Sequence, residues 1–398
     1  MPIEYDPFDE VIRNDPQPIY ARLRDEAPAY FMEKYDAWAL SRFQDIWDVC
    51  SSDALSNALG AAPAQILTKD QPVAPMLNVL DPPEHTKLRS VVRSRFLPRN
   101  VNATEPEARR IAGELLDAVA GREEFDVIGD FAARFSVTLA CKVIGLPTED
   151  GSMLTDYVQR FFAHDPDSEG FAPESGAALE QLIDYCTDKV KSRREHPIES
   201  PDALNALARF EFDGRRYEDA EAGSHLSMLV IGGSETFPKV LANGLRRLAE
   251  YPDQRAALRS DPSAIPDAFN EILRYDMPTQ FLCRTITRDI EIHGQTMKKD
   301  QGLIFLYASA NRDEREFDDP DRFDIHRENP RILTFGHGAH RCLGAHFAKM
   351  EGKVMLEEVL RRMPDYASVG SPQFDRSNFL RGIKHWEMTF TPGKREVS

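Results

Sequence analysis

Apolar residues recur at three- and four-residue spacing through most of this 398-residue chain, which is the pattern of helices with one buried face. The pattern fills residues 105–121, 130–146, 180–195, 220–252, 265–276 and 344–363. Short runs of β-branched and aromatic residues occur towards both ends, in AWALSRF, RTITRDIEIHG, GLIFLYAS and KHWEMTFTP. We therefore predict a mainly α fold with one small shared sheet, built from β-rich parts near residues 30–60, 280–310 and 375–395.

The balance of charge excludes some classes of partner. The chain carries 66 acidic and 49 basic residues, for a net charge of -17, which argues against wrapping nucleic acid or coating an anionic membrane. No apolar run is long enough to span a bilayer, and the acidic opening MPIEYDPFDEVIRNDP lacks the pattern of a secretory signal. We therefore expect a cytoplasmic protein with no nucleic-acid or membrane partner.

One cysteine lies in an unusual setting. The five cysteines are far apart and form no C-x-x-C pair, so neither a disulfide framework nor a zinc cluster is predicted. Cys342, however, lies in FGHGAHRCLG, with three glycines, two histidines and an arginine around it. Gly336 and Gly338 permit positive φ, and Gly344 lets a flat group approach without meeting a Cβ. The backbone is predicted to be shaped around a bound group.

The helical stripe that follows Cys342 places its sulfur at a helix N-terminus. Peptide dipoles and free N–H groups there are expected to lower the thiol pKa and to favour thiolate. His340 and Arg341 add donors and positive charge. Such a thiolate is either a metal ligand or a nucleophile, and a nucleophile needs a nearby general base, for which His340 is close enough in sequence. The residues alone leave both roles open.

The pattern F-G-x-G-x-H-x-C-x-G resembles the haem-binding signature of the cytochrome P450 family and matches it at every fixed position. The resemblance implies a roughly triangular cytochrome P450 fold, as a single domain over residues 1–398, that binds haem b. It makes Cys342 the thiolate ligand of the iron, which favours O–O cleavage in dioxygen. It also assigns His340 to a haem propionate and places Phe335, Gly336 and Gly344 in the cofactor-binding loop.

Two further segments are similar to family motifs in the same order. Glu271 and Arg274 in NEILRYD lie three residues apart on a helix, where their side chains can meet. Taken alone, they are equally well a surface ion pair worth under about 1 kcal/mol. The segment DDPDRFDIHR, with Arg322, resembles the family's meander region. The resemblance implies a buried structural network of Glu271, Arg274 and Arg322 behind the haem.

The segment LVIGGSETFPKV contains a predicted helix break. Pro238 has no N–H for the Ser234 carbonyl, so the helix is expected to open and its freed carbonyls to take water or a hydroxyl. Taken alone, Thr236 is expected to bond back to the Gly232 carbonyl. The segment resembles the family's central helix, which implies catalytic roles for Thr236 as a proton relay and for Glu235 as the proton source. Gly232 would let haem or substrate approach closely.

Basic residues supply the other cofactor contacts. DPPEHTKLRSVVRSRFLPR resembles the family's proximal helix, and the resemblance implies that His85 and Arg89 bind propionates together with Arg284 of QFLCRTITRD. Desolvated propionates need several Arg and His donors; a structural salt bridge is the competing interpretation of Arg284. Residues 85–99 carry five Lys or Arg side chains and no acid.

That basic run is either a solvated face or, with Arg341 and Lys349, a docking patch for an acidic redox protein. The resemblance implies that electrons pass from NAD(P)H through ferredoxin reductase and ferredoxin, both of them external partners.

Substrate contacts are implied by the resemblance at positions that are mostly apolar. They are residues 55–80, Phe161, Phe162, Met228, Ile231, Gly232, the run from Thr279 through Phe281 to Leu282, and Phe379. Each position is equally suited to core packing. Two interpretations of Arg381 remain: it contacts a carboxylate on the substrate, or it has a surface or structural role.

The resemblance implies a monomeric haem-thiolate monooxygenase that inserts one oxygen atom of dioxygen into a hydrophobic small molecule, while the other atom leaves as water. Terpenoids, steroids, fatty acids and aromatic compounds are all open as substrates. The alternatives are a peroxide-driven or rearranging P450, against which Glu235 and Thr236 argue, and a non-catalytic haem sensor or carrier. A cysteine hydrolase is a further alternative, and stoichiometric haem would exclude it.

Overall fold

Helices make up most of the computed structural model, which describes residues 2–69, 74–163, 172–328, 331–375 and 379–391. The α-helices are α1 (Glu10–Asn14), α2 (Gln17–Glu26), α3 (Phe43–Val49), α4 (Pro63–Ile66), α5 (Glu84–Arg93), α6 (Pro98–Val119), α7 (Ala133–Ile144), α8 (Gly151–Phe161), α9 (Glu174–Glu195), α10 (Ala203–Ala208), α11 (Asp219–Ser234), α12 (Thr236–Glu250), α13 (Pro252–Ser260), α14 (Ile265–Tyr275), α15 (Tyr307–Ala310) and α16 (Ala345–Arg362). The predicted mainly α fold is confirmed, because each periodic segment is helical over most of its length.

Short strands form several small sheets. They are β1 (Ala29–Met32), β2 (Ala37–Leu40), β3 (Leu55–Ser56), β4 (Glu124–Asp126), β5 (Glu211–Phe212), β6 (Arg215–Arg216), β7 (Leu282–Ile286), β8 (Ile290–Ile292), β9 (Gln295–Met297), β10 (Gly302–Phe305), β11 (Ala367–Ser368), β12 (Gln373–Phe374), β13 (Ile383–His385) and β14 (Glu387–Thr389). The main sheet has the order β1-β2-β10-β7-β3, with β2 and β10 parallel and the other pairs antiparallel. It joins the β-rich parts near residues 30–60 and 280–310, as predicted.

The C-terminal strands do not join this sheet, so the prediction of one sheet shared by all three parts is wrong. β14 pairs with β4 and β11, and β13 pairs with β12. Phe125 of β4 lies opposite Met388 of β14, and both side chains are buried in the helical core. This apolar face packs against helices rather than against the main sheet, which separates the two groups of strands.

Two close helix contacts lead towards the site. α16 packs against α6 and α14, and a Cβ at Gly352 would lie 2.3 Å from the ring of Phe269 on α14. α11 packs against α9, where a Cβ at Gly223 would lie 2.7 Å from the backbone of Thr187. Glycine at both positions lets neighbouring helices approach, and these two contacts help to fix α16 and α11.

Among the described residues, no helix combines the length and apolar character needed to cross a bilayer. The single domain over residues 1–398 and the monomeric state stay predictions.

Candidate functional site

The loop before α16 has the backbone shape that its glycines predict. Gly336 has φ +62° and Gly338 has φ +75°, and a Cβ at Gly338 would lie 2.5 Å from the carbonyl oxygen of Cys50. The Cys342 N–H donates to the Phe335 carbonyl at 2.8 Å. The loop therefore closes on itself and places Cys342 three residues before Ala345, the first residue of α16.

The thiol of Cys342 is accessible, yet the surrounding protein separates it from bulk water. Burial raises its pKa above the ordinary value, and this outweighs the hydrogen bond from the Gly344 N–H and the positive charges of Arg89 and Arg341. The prediction that the helix terminus lowers the thiol pKa is therefore wrong for the protein alone. A coordinated metal cation reverses this balance, because it deprotonates a ligating thiol.

Four predicted donors converge beside this loop. The rings of His85 on α5 and His340 stack with centroids 4.0 Å apart. Burial lowers the pKa of His85 to about 4, and Arg89 and Arg284 lower it further. Burial also lowers the pKa of His340 to about 3, with contributions from His85, Arg284 and Arg89. Both imidazoles are neutral at pH 7, and within the described residues His340 makes no hydrogen bond to the Cys342 thiol, which disfavours its role as a general base.

The hydrogen-bonding capacity of these donors is largely unused. His85 Nε2 is buried without a partner among the described residues. Arg89 donates to the Arg341 carbonyl, and Arg284 of β7 donates to the Cys283 carbonyl at 2.6 Å. Neither guanidinium meets a carboxylate in the part of the chain that the structure describes, so the salt-bridge interpretation of Arg284 is not supported. The set is suited to an anionic group.

The predicted helix break is confirmed. α11 ends at Ser234 and α12 begins at Thr236. The Ser136 hydroxyl donates to the Gly233 carbonyl at 2.7 Å, which satisfies one acceptor beside the opened turn. Thr236 makes no back-bond to Gly232 within the described residues, so the expectation drawn from Thr236 alone is not met.

The two glycines before the break have different roles. A Cβ at Gly233 would lie 3.0 Å from the Cβ of Ala140 on α7, so Gly233 allows two helices to pack closely. A Cβ at Gly232 would meet only Met228 Cε, at 3.9 Å. Gly232 therefore faces open space, as its predicted contact with haem or substrate requires.

The predicted proton source lies in an ion pair that sequence reasoning missed. Lys239 of α12 forms a buried ion pair with Glu235 and lies 3.1 Å from Asp375. Burial raises the pKa of Glu235 despite the attraction of Lys239. Burial lowers the pKa of Lys239, but the two carboxylates outweigh it and the pKa is raised. A Cβ at Gly382 would lie 2.6 Å from Lys239 Cβ, so glycine there makes room for the lysine.

The buried Glu271–Arg274 pair is confirmed, with two hydrogen bonds of 2.7 and 2.8 Å. The assignment of Arg322 as the second arginine of this network is wrong, because its side chain is 68% exposed. Arg327 replaces it, with Nε 3.4 Å from Glu271 Oε1. The Arg322 carbonyl accepts hydrogen bonds from Arg274 and Arg327, so its backbone faces inwards and its side chain points outwards.

The predicted substrate contacts differ in exposure. Phe162, after α8, lies edge-on to Phe379 with ring centroids 6.1 Å apart. Ile231 and Phe281 are buried in apolar clusters, which favours core packing for both. Met228 and Thr279 are partly exposed.

The structure also describes two other candidates for substrate contact, Arg381 and most of residues 55–80. Arg381 donates to the Asn14 carbonyl at 3.0 Å, which favours its structural interpretation. Within residues 55–80 the chain forms β3, α4 and a short helical turn at Leu77–Val79, while residues 70–73 lie outside the described residues.

A looped cysteine beside His and Arg donors without carboxylate partners among the described residues is suited to haem binding, and this chain belongs to the cytochrome P450 family. The family model for cytochrome P450 matches residues 151–364. The chain is a cytochrome P450 monooxygenase, as its relatives are.

Relatives match nearly the whole chain. It is 37% identical over 386 residues to the putative cytochrome P450 123 of Mycobacterium tuberculosis strain H37Rv, covering 96% of this chain and 95% of that protein. It is 32% identical over 380 residues to the steroid C26-monooxygenase of the same strain, covering 94% and 93%. The structure of CYP109E1 from Bacillus megaterium in complex with testosterone matches with a TM-score of 0.86 at 26% identity, covering 96% of this chain and 99% of that one.

The residues of this site fit the haem that the family binds. A Cβ at Gly344 would meet only Cys342 Sγ, at 4.0 Å, so one side of the sulfur is open to a flat group. Cys342 would hold the iron, and His85, Arg89, Arg284 and His340 would hold the propionates. Haem supplies the one-electron and dioxygen chemistry that side chains lack.

Proposed function

We propose that this monooxygenase hydroxylates a steroid or an apolar molecule of similar size, with Cys342 as the thiolate ligand of haem b. The observation that carries the proposal is the convergence of the accessible Cys342 thiol with His85, Arg89, Arg284 and His340, whose donors lack carboxylate partners among the described residues. Similarity to a steroid C26-monooxygenase and to a structure solved with testosterone supports the steroid class.

The substrate wall would be formed by apolar side chains next to the helix break. Met228 and Gly232 lie four residues apart on α11 and therefore share one face of the helix. Gly232 faces open space, and the Phe162–Phe379 ring contact would form another side of the wall. A wall of this kind excludes water and orients an apolar molecule through shape rather than through charge.

Thr236 and Glu235 would handle protons. The Thr236 side chain is half-buried and free of a back-bond among the described residues, so its hydroxyl can accept a proton from one neighbour while it donates to another. Glu235 is adjacent in sequence but is held by Lys239. Delivery of a proton from Glu235 would therefore require its carboxylate to leave Lys239.

Electrons would enter from ferredoxin, supplied by NAD(P)H through ferredoxin reductase. Three basic side chains are exposed on this side: Arg93 of α5, Arg341 of the cysteine loop and Lys349 of α16. Burial lowers the pKa of His346, and the positive charges of all three lower it further. They therefore form one basic patch on the thiolate side, although they come from separate segments. An acidic ferredoxin would be steered towards this patch.

The experiment is a titration of the purified holoprotein with testosterone, palmitate and a monoterpene, followed by product analysis with ferredoxin, reductase and NAD(P)H. A shift of the Soret band from low to high spin and a hydroxylated product with testosterone are the expected results. Shifts with palmitate or the terpene alone would contradict the steroid class. Turnover with peroxide but not with ferredoxin would favour the peroxide-driven alternative.

A further inference from the structure

A cavity of about 210 Å³ shares no lining residue with the Cys342 loop. It lies between the segment around Asp15, the middle of α12, the end of α14 and the C-terminal hairpin, which is the antiparallel pair of β12 and β13. Sites for organic ligands of drug size occupy about 300–1,000 Å³, so this cavity is suited to a small ion with a few waters.

Guanidinium groups dominate the charged lining of this cavity. They belong to Arg246, Arg247, Arg274, Arg312 and Arg381, whereas the lining carboxylates belong to Asp15 and Asp276. Asp276 accepts from Arg247 at 2.5 and 3.2 Å, so both of its oxygens are engaged. The lining therefore carries more positive than negative charge.

Three of these arginines have carboxylate partners that do not line the cavity. Arg274 pairs with Glu271, and Arg312 pairs with the exposed Asp321 at 2.7 Å. Arg246 pairs with Glu250 outside the cavity and also lies 3.7 Å from Asp276, which lines it. Every guanidinium nitrogen of Arg274 donates a hydrogen bond, so the donors left for a cavity ligand belong to the other arginines.

Arg381 has no carboxylate within ion-pair distance among the described residues. Its guanidinium donates to the Asn14 carbonyl at 3.0 Å. Burial lowers its pKa, Asp276 and Asp15 oppose this, and the charges of Arg246 and Arg247 lower the pKa further. The positive charge of Arg381 therefore lies close to those of Arg246 and Arg247 in a partly buried site. An anion bound between them would offset this repulsion.

Unused donors are buried in the same place. Arg312 is only 6% exposed, yet its Nε has no hydrogen-bond partner in the described residues, and the same is true of Arg246 Nε. Two aromatic rings hold the guanidiniums in position. Arg312 lies 3.6 Å from the centroid of Tyr275, and Arg246 and Arg381 flank Phe374 at 5.8 and 5.7 Å. A buried donor that makes no hydrogen bond lowers the stability of the folded protein.

We propose that this cavity binds one small tetrahedral oxyanion of the phosphate or sulfate class. Four acceptor oxygens pointing in different directions match donors that come from several walls, and a double charge offsets the excess of guanidinium. The anion would tie the N-terminal segment at Asn14 and α12 to the hairpin that carries Arg381. Bound anion therefore stabilises the folded enzyme, independently of haem or substrate.

The test uses inorganic phosphate and the purified holoenzyme. Calorimetric titration at constant ionic strength, balanced with chloride, should give one saturable site. The midpoint of thermal unfolding should rise on the order of 3 °C at a phosphate concentration a hundred times Kd. Sulfate should act like phosphate, and a matching rise with acetate would overturn the tetrahedral assignment.

Variants separate a specific site from a general salt effect. Arg381→Gln should weaken phosphate binding by about tenfold or more, because one charge-assisted contact is lost. Arg288→Gln, at an exposed arginine outside the cavity, should bind phosphate like the wild type. If Arg381→Gln fails to fold, Arg246→Gln replaces it. Equal thermal shifts in all variants, or no saturable heat in the wild type, would overturn the proposal and show that the cavity holds water only.

Discussion

The ammonium group of Lys239 is buried against the carboxylate of Glu235, one helical turn earlier, and lies 3.1 Å from Asp375. The pair spans the break between α11 and α12, because Glu235 lies between the two helices. It therefore links the proposed proton source to the hairpin that carries Asp375 and β13.

Replacing Lys239 by methionine should destabilise the protein by about 3–5 kcal/mol, because it leaves a buried carboxylate unpaired. The double variant Glu235→Gln/Lys239→Met should recover much of this loss. Urea unfolding of the three proteins measures the effect, with Asp375→Asn as a milder control that keeps the Glu235 pair. A Lys239→Met protein as stable as the wild type would contradict the buried pair.

Thr236→Ala should bind substrate normally but waste electrons as peroxide, because the relay hydroxyl is lost. The hydroxylation rate is expected to fall on the order of 100-fold, while the Soret shift on substrate binding is retained. Ser234→Ala is the matched control, since among the described residues that hydroxyl donates only to the Val230 carbonyl of its own helix. Product formed per NAD(P)H consumed is the measurement, and equal coupling in Thr236→Ala and Ser234→Ala would remove the relay role.

Arg327→Ala should lower the free energy of unfolding by about 1–3 kcal/mol, because Glu271 is buried and loses the cationic partner Arg327. Arg322→Ala should change it by less than about 0.5 kcal/mol, since the Arg322 side chain is largely exposed. Chemical denaturation compares the two variants directly. The reverse ranking would restore Arg322 to the network.

Acid should destabilise the fold through His225. Burial lowers its pKa to about 4, Glu221 opposes this only in part, and Nδ1 has no partner in the described residues. Between about pH 6.5 and 4, His225 is therefore protonated in the unfolded chain but largely neutral in the folded protein. The free energy of unfolding consequently falls as the pH falls. The loss is about 2 kcal/mol at pH 5. Urea unfolding at pH 7.5 and pH 5 should show a smaller loss in His225→Gln, and an identical loss would exclude this origin.

Arg93→Glu should slow reduction by ferredoxin and flatten its dependence on ionic strength, because the charge steers encounter. Arg288→Glu is the control, since Arg288 is comparably exposed and lies in the turn after β7. Stopped-flow reduction at several salt concentrations gives the rates. Equal salt dependence in both variants would rule out the docking patch.

Local features of the site were predictable from sequence because each depends on a few adjacent residues. Pro238 opens the helix because it lacks an N–H, and glycine at positions 336 and 338 permits the positive φ that the loop adopts. The helical periodicity likewise predicts α16, which begins at Ala345, three residues after Cys342.

Features that depend on distant contacts were not predictable. Arg322 and Arg327 lie in an irregular loop without a period, so no sequence rule decides which side chain turns inwards. The i, i+4 spacing of Glu235 and Lys239 was a readable signal, but Asp375 joins them only through the tertiary fold. The pairing of β14 with β4 has the same origin.

The most direct test of the account is the spectrum of the dithionite-reduced protein with carbon monoxide. Ligation by Cys342 predicts the red-shifted Soret band of a haem thiolate and its loss in Cys342→Ser. A band typical of imidazole ligation, or a thiolate band that survives in Cys342→Ser, would contradict the account.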